Sequence, residues 1–202
     1  MNKGQIRSHL KALLNRTDCS DALADTFIDQ AITRIQRLLR IPSMEKTQNY
    51  TITTQVSSVI LPNDLIEVIN IYSGANVLSR VSLREMRVFQ DTGMSGVPQY
   101  FCRQGEEILL YPNPANTTVS MDYYSQFDDL TSDASENSLT LIASDLMTYA
   151  ALAYAADYFL DERGPLFEQK FGQFLLEIQE QANEAEQAGS LQTIRPSSIL
   201  EE

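Results

Sequence analysis

The chain has 202 residues, 43% of them apolar and 21% charged, the balance of a folded globular protein of one domain or one domain with a small annex. It carries 27 acidic against 15 basic side chains, a formal charge of −12. That sign argues against a protein whose main task is gripping nucleic-acid phosphates or an anionic membrane surface, because both require basic patches.

Ile6, Leu10, Leu13 and Leu14 recur at helical spacing and predict a short amphipathic helix over residues 3–14. Residues 17–20 (Thr-Asp-Cys-Ser) offer a cap. A long helix is expected over residues 21–41, apolar at Leu23, Phe27, Ile28, Ile32, Ile35, Leu38 and Leu39. Asp21, Asp25 and Asp29 near its start and Arg34, Arg37 and Arg40 near its end complement the helix dipole, and Pro42 stops it. Residues 48–61 are rich in β-branched side chains and read as a hairpin; residues 65–72 read as a further strand. Ser82-Leu83-Arg84-Glu85 is a capping box with Val81 and Met86 as its hydrophobic staple, opening a short helix to about Gln90. Residues 99–103 and 107–111 form a hairpin around Gln104-Gly105, and residues 119–124 make the last strand.

Residues 144–160 are almost wholly apolar, the mark of a helix buried between neighbours, with a break at Gly164-Pro165, where the proline is well placed at the first position of the next helix. The next helix has an apolar seam at Phe167, Phe171, Phe174, Ile178, Ala182 and Ala185 and ends at Gly189. The expected bundle core is Tyr149, Leu152, Phe159, Phe167, Phe171, Phe174 and Ile178. Residues 190–202 lack a helical period and contain Pro196. They read either as a frayed terminus or as an arm that docks on another chain through Leu191, Ile194, Arg195, Ile199 and Leu200. The fold class expected is α+β, mainly helical: a four-helix bundle of two N-terminal and two C-terminal helices, an inserted small β-subdomain and an extended C-terminal arm. The expected segments are residues 1–46 and 126–188 for the bundle helices, 47–125 for the β-rich part with its short helix, and 189–202 for the arm.

The charge is unevenly placed. Residues 1–46 carry a net +3, residues 47–119 a net −2 and residues 120–202 a net −13. Such asymmetry either reflects solvated helix faces or sets orientation in an assembly. Cys19 and Cys102 have no CxxC spacing and suit two reduced thiols in a cytoplasmic protein. No apolar run reaches the ~18 residues of a membrane span, and the first residues lack the apolar stretch of a signal peptide.

Little in the chain suggests catalysis. His9, the single histidine, sits beside the core position Leu10, where it reads as a surface residue. With two cysteines and one histidine, a zinc-type ligand set is not expected, and no phosphate-binding glycine motif occurs. The carboxylate pairs Asp157/Asp161, Glu177/Glu180 and Glu180/Glu184 fall on helix faces and read as solvated surface. No enzyme, cofactor or metal is expected.

Five motifs in order resemble one family. They are residues 61–68 (Leu-Pro-Asn-Asp-Leu-Ile-Glu-Val), 96–100 (Gly-Val-Pro-Gln-Tyr), 108–114 (Ile-Leu-Leu-Tyr-Pro-Asn-Pro), Tyr123-Tyr124, and the run from Asp145 to Tyr158. With the order helix–helix–β–helix–helix, they resemble the head–tail adaptor (connector) proteins of tailed bacteriophages, most closely those of short-tailed phages. The resemblance covers most of residues 1–188. It implies a structural ring, commonly of twelve subunits, beneath the portal in the virion neck, assembled in the bacterial cytoplasm. The ring extends the DNA channel, releases DNA at ejection and offers a platform to the tail or nozzle protein. It also implies that C-terminal arms reach the portal, and it brings no catalytic residues. Net negative charge suits a conduit that passes DNA without holding it. Two other readings stay open: a protein-binding or scaffolding module outside any virion, and a virion-associated wall hydrolase.

Overall fold

Asn2 begins the first helix, α1 (Lys3–Leu14), by a reciprocal capping box: its side chain accepts from the Gln5 amide while the Gln5 side chain accepts from the Asn2 amide. Ser20 caps the second, α2 (Asp21–Leu38), accepting from the Leu23 amide at 3.2 Å. α2 stops three residues short of the expected Ile41. Leu39 already has extended backbone, and both Leu39 and Ile41 are buried before Pro42. The computed structural model describes residues 1–187, and they form two compact units. One is Met1–Ile41 with the chain from Asp129 onward; the other is Pro42–Asp128.

The first unit is built around α5 (Ser144–Phe159), which packs against α1, α2, the five-residue α4 (Ser138–Ile142) and α6 (Gly164–Gln187). Ala150, Ala151, Ala155 and Ala156 are fully or almost fully buried on α5, so neighbouring backbones approach closely. Leu146, Met147 and Leu152 supply its bulk. The helix is not buried all round as expected: Tyr158 is 62% exposed. It ends earlier than expected too. Leu160 takes a left-handed conformation (φ 52°) as the C-cap and is 89% exposed, and Pro165 stands in the first turn of α6, as expected.

The second unit has three layers. β1 (Glu45–Ile52), β8 (Thr117–Ser125), β3 (Leu65–Ser73) and β4 (Asn76–Val77) form one sheet in that order; β2 (Ser58–Ile60), β7 (Glu107–Tyr111), β6 (Tyr100–Gln104) and β5 (Ser79–Arg80) form the other. Ile71, Val119 and Met121 of the first sheet share a core with Phe101, Ile108 and Leu110 of the second. Strand alternation turns Cys102, Leu109 and Tyr111 to the opposite side. There they meet Met86 of α3 (Leu83–Gln90). The β6–β7 hairpin turns at Gly105, whose φ of +63° favours glycine.

The expected hairpin over residues 48–61 does not form. β1 pairs with β8 and β2 with β7, so the chain crosses from one sheet to the other between them. The expectation of a mainly helical four-helix bundle with a small β-insert is likewise corrected. The fold is α+β with six helices and two four-stranded sheets among the described residues, about 45% helix and 24% strand. Two features account for the difference. The β-rich unit has two cores of its own, and α4 adds a fifth helix to the helical unit.

Candidate interaction surfaces

In the helical unit the arginines and aspartates pin helices together. Arg7 on α1 donates from Nε to Asp25 Oδ1 of α2 at 2.6 Å and from Nη1 to Asp133 Oδ2 at 3.1 Å. The Arg7 hydrogen bonds hold the Asp133 carboxyl below its ordinary range. Arg163 donates to the carbonyls of Leu13 and Leu14 at 3.1 and 3.0 Å, capping the C-terminus of α1. It also grips Asp161, whose pKa falls to about 2 through the side-chain bond first and the Arg163 amide second. Arg34 joins α2 to α6 through Glu168 and lowers that carboxyl's pKa by its hydrogen bond. The cationic N-terminal segment read from the sequence is therefore largely matched within the unit: Lys3, Arg7, Lys11, Arg16 and Arg34 all have carboxylate partners.

The expected core residues fall into two groups. Leu152, Phe167 and Phe171 are buried. Tyr149, Phe159, Phe174 and Ile178 are half-buried, with Tyr149 in ring contact with both Phe167 and Phe174. The expected arm residues Leu191, Ile194, Arg195, Ile199 and Leu200 lie outside the described residues. His9 is exposed. Among the described residues no group of three or more His, Cys, Asp or Glu side chains is placed to hold a metal ion, and no helix is long and apolar enough to cross a membrane. The recess between α2 and α5 is lined by polar side chains, chiefly Thr26, Asp29, Gln30, Thr33 and Arg37, with Tyr154.

In the β-rich unit, burial raises the pKa of Tyr123 to about 12, and its hydroxyl donates to Asp64 at 3.0 Å. Burial alone would raise the Asp64 pKa, but the Lys46 and Tyr123 hydrogen bonds outweigh it and the pKa is lowered. This cluster ties β8 to the turn before β3. It is a structural brace.

Two helix faces stand apart because their charges are left unmatched. The outward face of α3 spans about 140° at ~100° per residue and carries Leu83, Arg87, Arg84 and Val88. All four are exposed, Leu83 by 43% and Val88 by 62%. Arg87 reaches the amide oxygen of Gln104 at 3.1 Å. Among the described residues neither arginine has a carboxylate in ion-pair range, and the same holds for Arg80 and Arg103 on the adjoining strands β5 and β6. The loop after α3 leaves Met94 and Val97 more than half exposed.

The second face lies on α6. Leu176, Glu180, Glu184, Glu177, Gln173 and Gln181 share another arc of about 140° and are all exposed. No lysine or arginine follows Lys170 along the described part of this helix. Glu177 accepts from Gln173 at 2.9 Å, and none of the three glutamates has a cation in ion-pair range among the described residues. Sequence reasoning passed over the α3 face and read the Glu177/Glu180 and Glu180/Glu184 pairs of α6 as solvated surface. The period of α3 gave the signal, since Met86 and Phe89 account for one side and leave Leu83, Arg84, Arg87 and Val88 on the other.

Exposed faces that mix charge with large apolar side chains are features of a protein that works by contact with other proteins. The chain belongs to the SU10 adaptor protein family, which it matches over residues 1–195. This is a family of bacteriophage head–tail adaptors, structural components of the virion. No curated protein matches the chain.

Proposed function

We propose that the chain is the subunit of a ring, of twelve copies, seated beneath the portal in the neck of a short-tailed phage. The ring forms in the bacterial cytoplasm during virion assembly, continues the DNA channel, and gives the tail or nozzle protein its docking platform. DNA passes through at ejection without specific binding. The net charge of −12 supports this last point, since a clamp on phosphates needs the opposite sign. Leu191, Ile194, Ile199 and Leu200 supply apolar contacts to the portal or a neighbour, and Arg195 a charge-assisted one.

The observation that carries the proposal is the family match along almost the whole chain, residues 1–195. Native mass measurement of the chain mixed with its phage's purified portal tests it. The expected species is one portal carrying twelve copies. A portal that stays bare, or that binds scattered copies in no fixed number, overturns the ring.

A further inference from the structure

The two unmatched faces are complementary. On α3, Leu83 and Val88 flank Arg84 and Arg87; on α6, Leu176 stands beside Glu177, Glu180 and Glu184. Each face has about the same angular width, and each pairs exposed apolar area with a single sign of charge. The other ion-pair-forming arginines point the same way: Arg7, Arg16, Arg34 and Arg163 are all matched within the helical unit. Arg80, Arg84, Arg87 and Arg103, the only basic residues between positions 47 and 119, cluster on one corner of the β-rich unit with no carboxylate in ion-pair range among the described residues.

We propose that the α3 face of one copy docks on the α6 face of a second copy. The proposal rests on the ring reading and assigns the contact between neighbours. The partner's acidic face supplies the missing carboxylates, and Leu83 and Val88 meet Leu176. Such guanidinium–carboxylate contacts gain geometric definition from the fork of arginine donors. The contact is heterologous: each copy offers α3 to one neighbour and α6 to another. Repeated, it generates a ring where the rotation closes and a filament where it does not. DNA fits the α3 face less well. Phosphates would match the arginines but leave two large aliphatic side chains without a role, and Glu85 and Asp91 sit on or beside the same helix.

Cross-linking full-length chains tests this directly. An Arg84→Cys variant is mixed with an isotopically labelled Glu180→Cys variant and treated with a short bis-maleimide; the native Cys19 and Cys102 are buried. Mixed dimers should dominate over those formed by either variant alone. Adding Arg87→Glu to the first variant should cut their yield about tenfold, and adding Glu184→Arg to the second should restore it. A yield no higher than that of a control pair with Asn49→Cys in place of Arg84→Cys overturns the proposal, as does failure of the charge swap to restore it. A double variant Arg84→Glu/Arg87→Glu that loses affinity for a DNA duplex while its copies still cross-link through other sites would assign the α3 face to phosphates and overturn the proposal. The ring reading fails separately. Rings on the portal that form normally with Arg84→Glu/Arg87→Glu overturn this contact and leave the ring standing. Mixed cross-links in solution without rings on the portal support the contact and overturn the ring.

Discussion

The guanidinium of Arg34 lies 4.1 Å above the ring of Phe171, and Glu168, one turn earlier on the same helix, holds it there. The contact joins α2 to α6 by a cation over a buried ring, with a carboxylate fixing the cation's orientation. It places Phe171 under both apolar and electrostatic constraint, so this side chain should be among the most costly to truncate.

Phe171→Ala is expected to destabilise the helical unit by about 3–5 kcal/mol, the range for removing a buried ring from a packed core. Phe171 is 2% exposed, so the cavity would be enclosed. Denaturant unfolding followed by circular dichroism measures the loss. A loss below about 1 kcal/mol would show that the α2–α6 contact does not carry the packing ascribed to it.

The turn between α5 and α6 makes an acid-sensitive pin. Asp161 has a folded pKa of about 2 because Arg163 donates to it, whereas an unfolded aspartate titrates near ~3.9. A depressed folded pKa contributes stability that is present above the unfolded value and lost as pH falls through the folded one. Stability should therefore fall between about pH 4 and pH 2, and Asp161→Asn should flatten that limb. Denaturation midpoints across the acid range, for both proteins, decide it; parallel acid limbs would remove Asp161 from the account.

Leu160 is a leucine in left-handed backbone with almost its whole side chain in solvent. Glycine adopts that conformation without the Cβ clash, and little packing is at stake. Leu160→Gly should leave the fold intact and raise stability by up to about 1 kcal/mol. A drop of that size, seen in the thermal midpoint, would mean that the side chain packs within the subunit.

These cases show what the sequence made legible. The caps at Ser20 and Ser82 and the staple of Val81 on Met86 depend on residues a few positions apart, and all three were readable. The fates of β1 and β2 were not, because their partners β8 and β7 lie far along the chain and strand pairing carries no local mark. The exposed faces were half legible. Helical period separates Arg84 and Arg87 from Met86, but that no carboxylate reaches them among the described residues depends on strands and loops brought in by the tertiary fold.

Deleting residues 190–202 should leave the melting temperature unchanged and abolish attachment to portal-bearing heads. Each aliphatic side chain buried at the docking site contributes up to ~1.5–3 kcal/mol, less the cost of ordering the segment. Truncated protein that still docks, with particles infectious at normal titre, would take Leu191, Ile194, Ile199 and Leu200 out of the interface.

The adaptor reading meets its most direct test in phage assembled without this chain. Electron microscopy of lysates from a host infected with phage carrying an early stop codon in its gene should show heads with portals and no tails. Purified protein added back should restore tail attachment and infectivity. Complete tailed particles formed in the absence of the chain would contradict a head–tail adaptor outright.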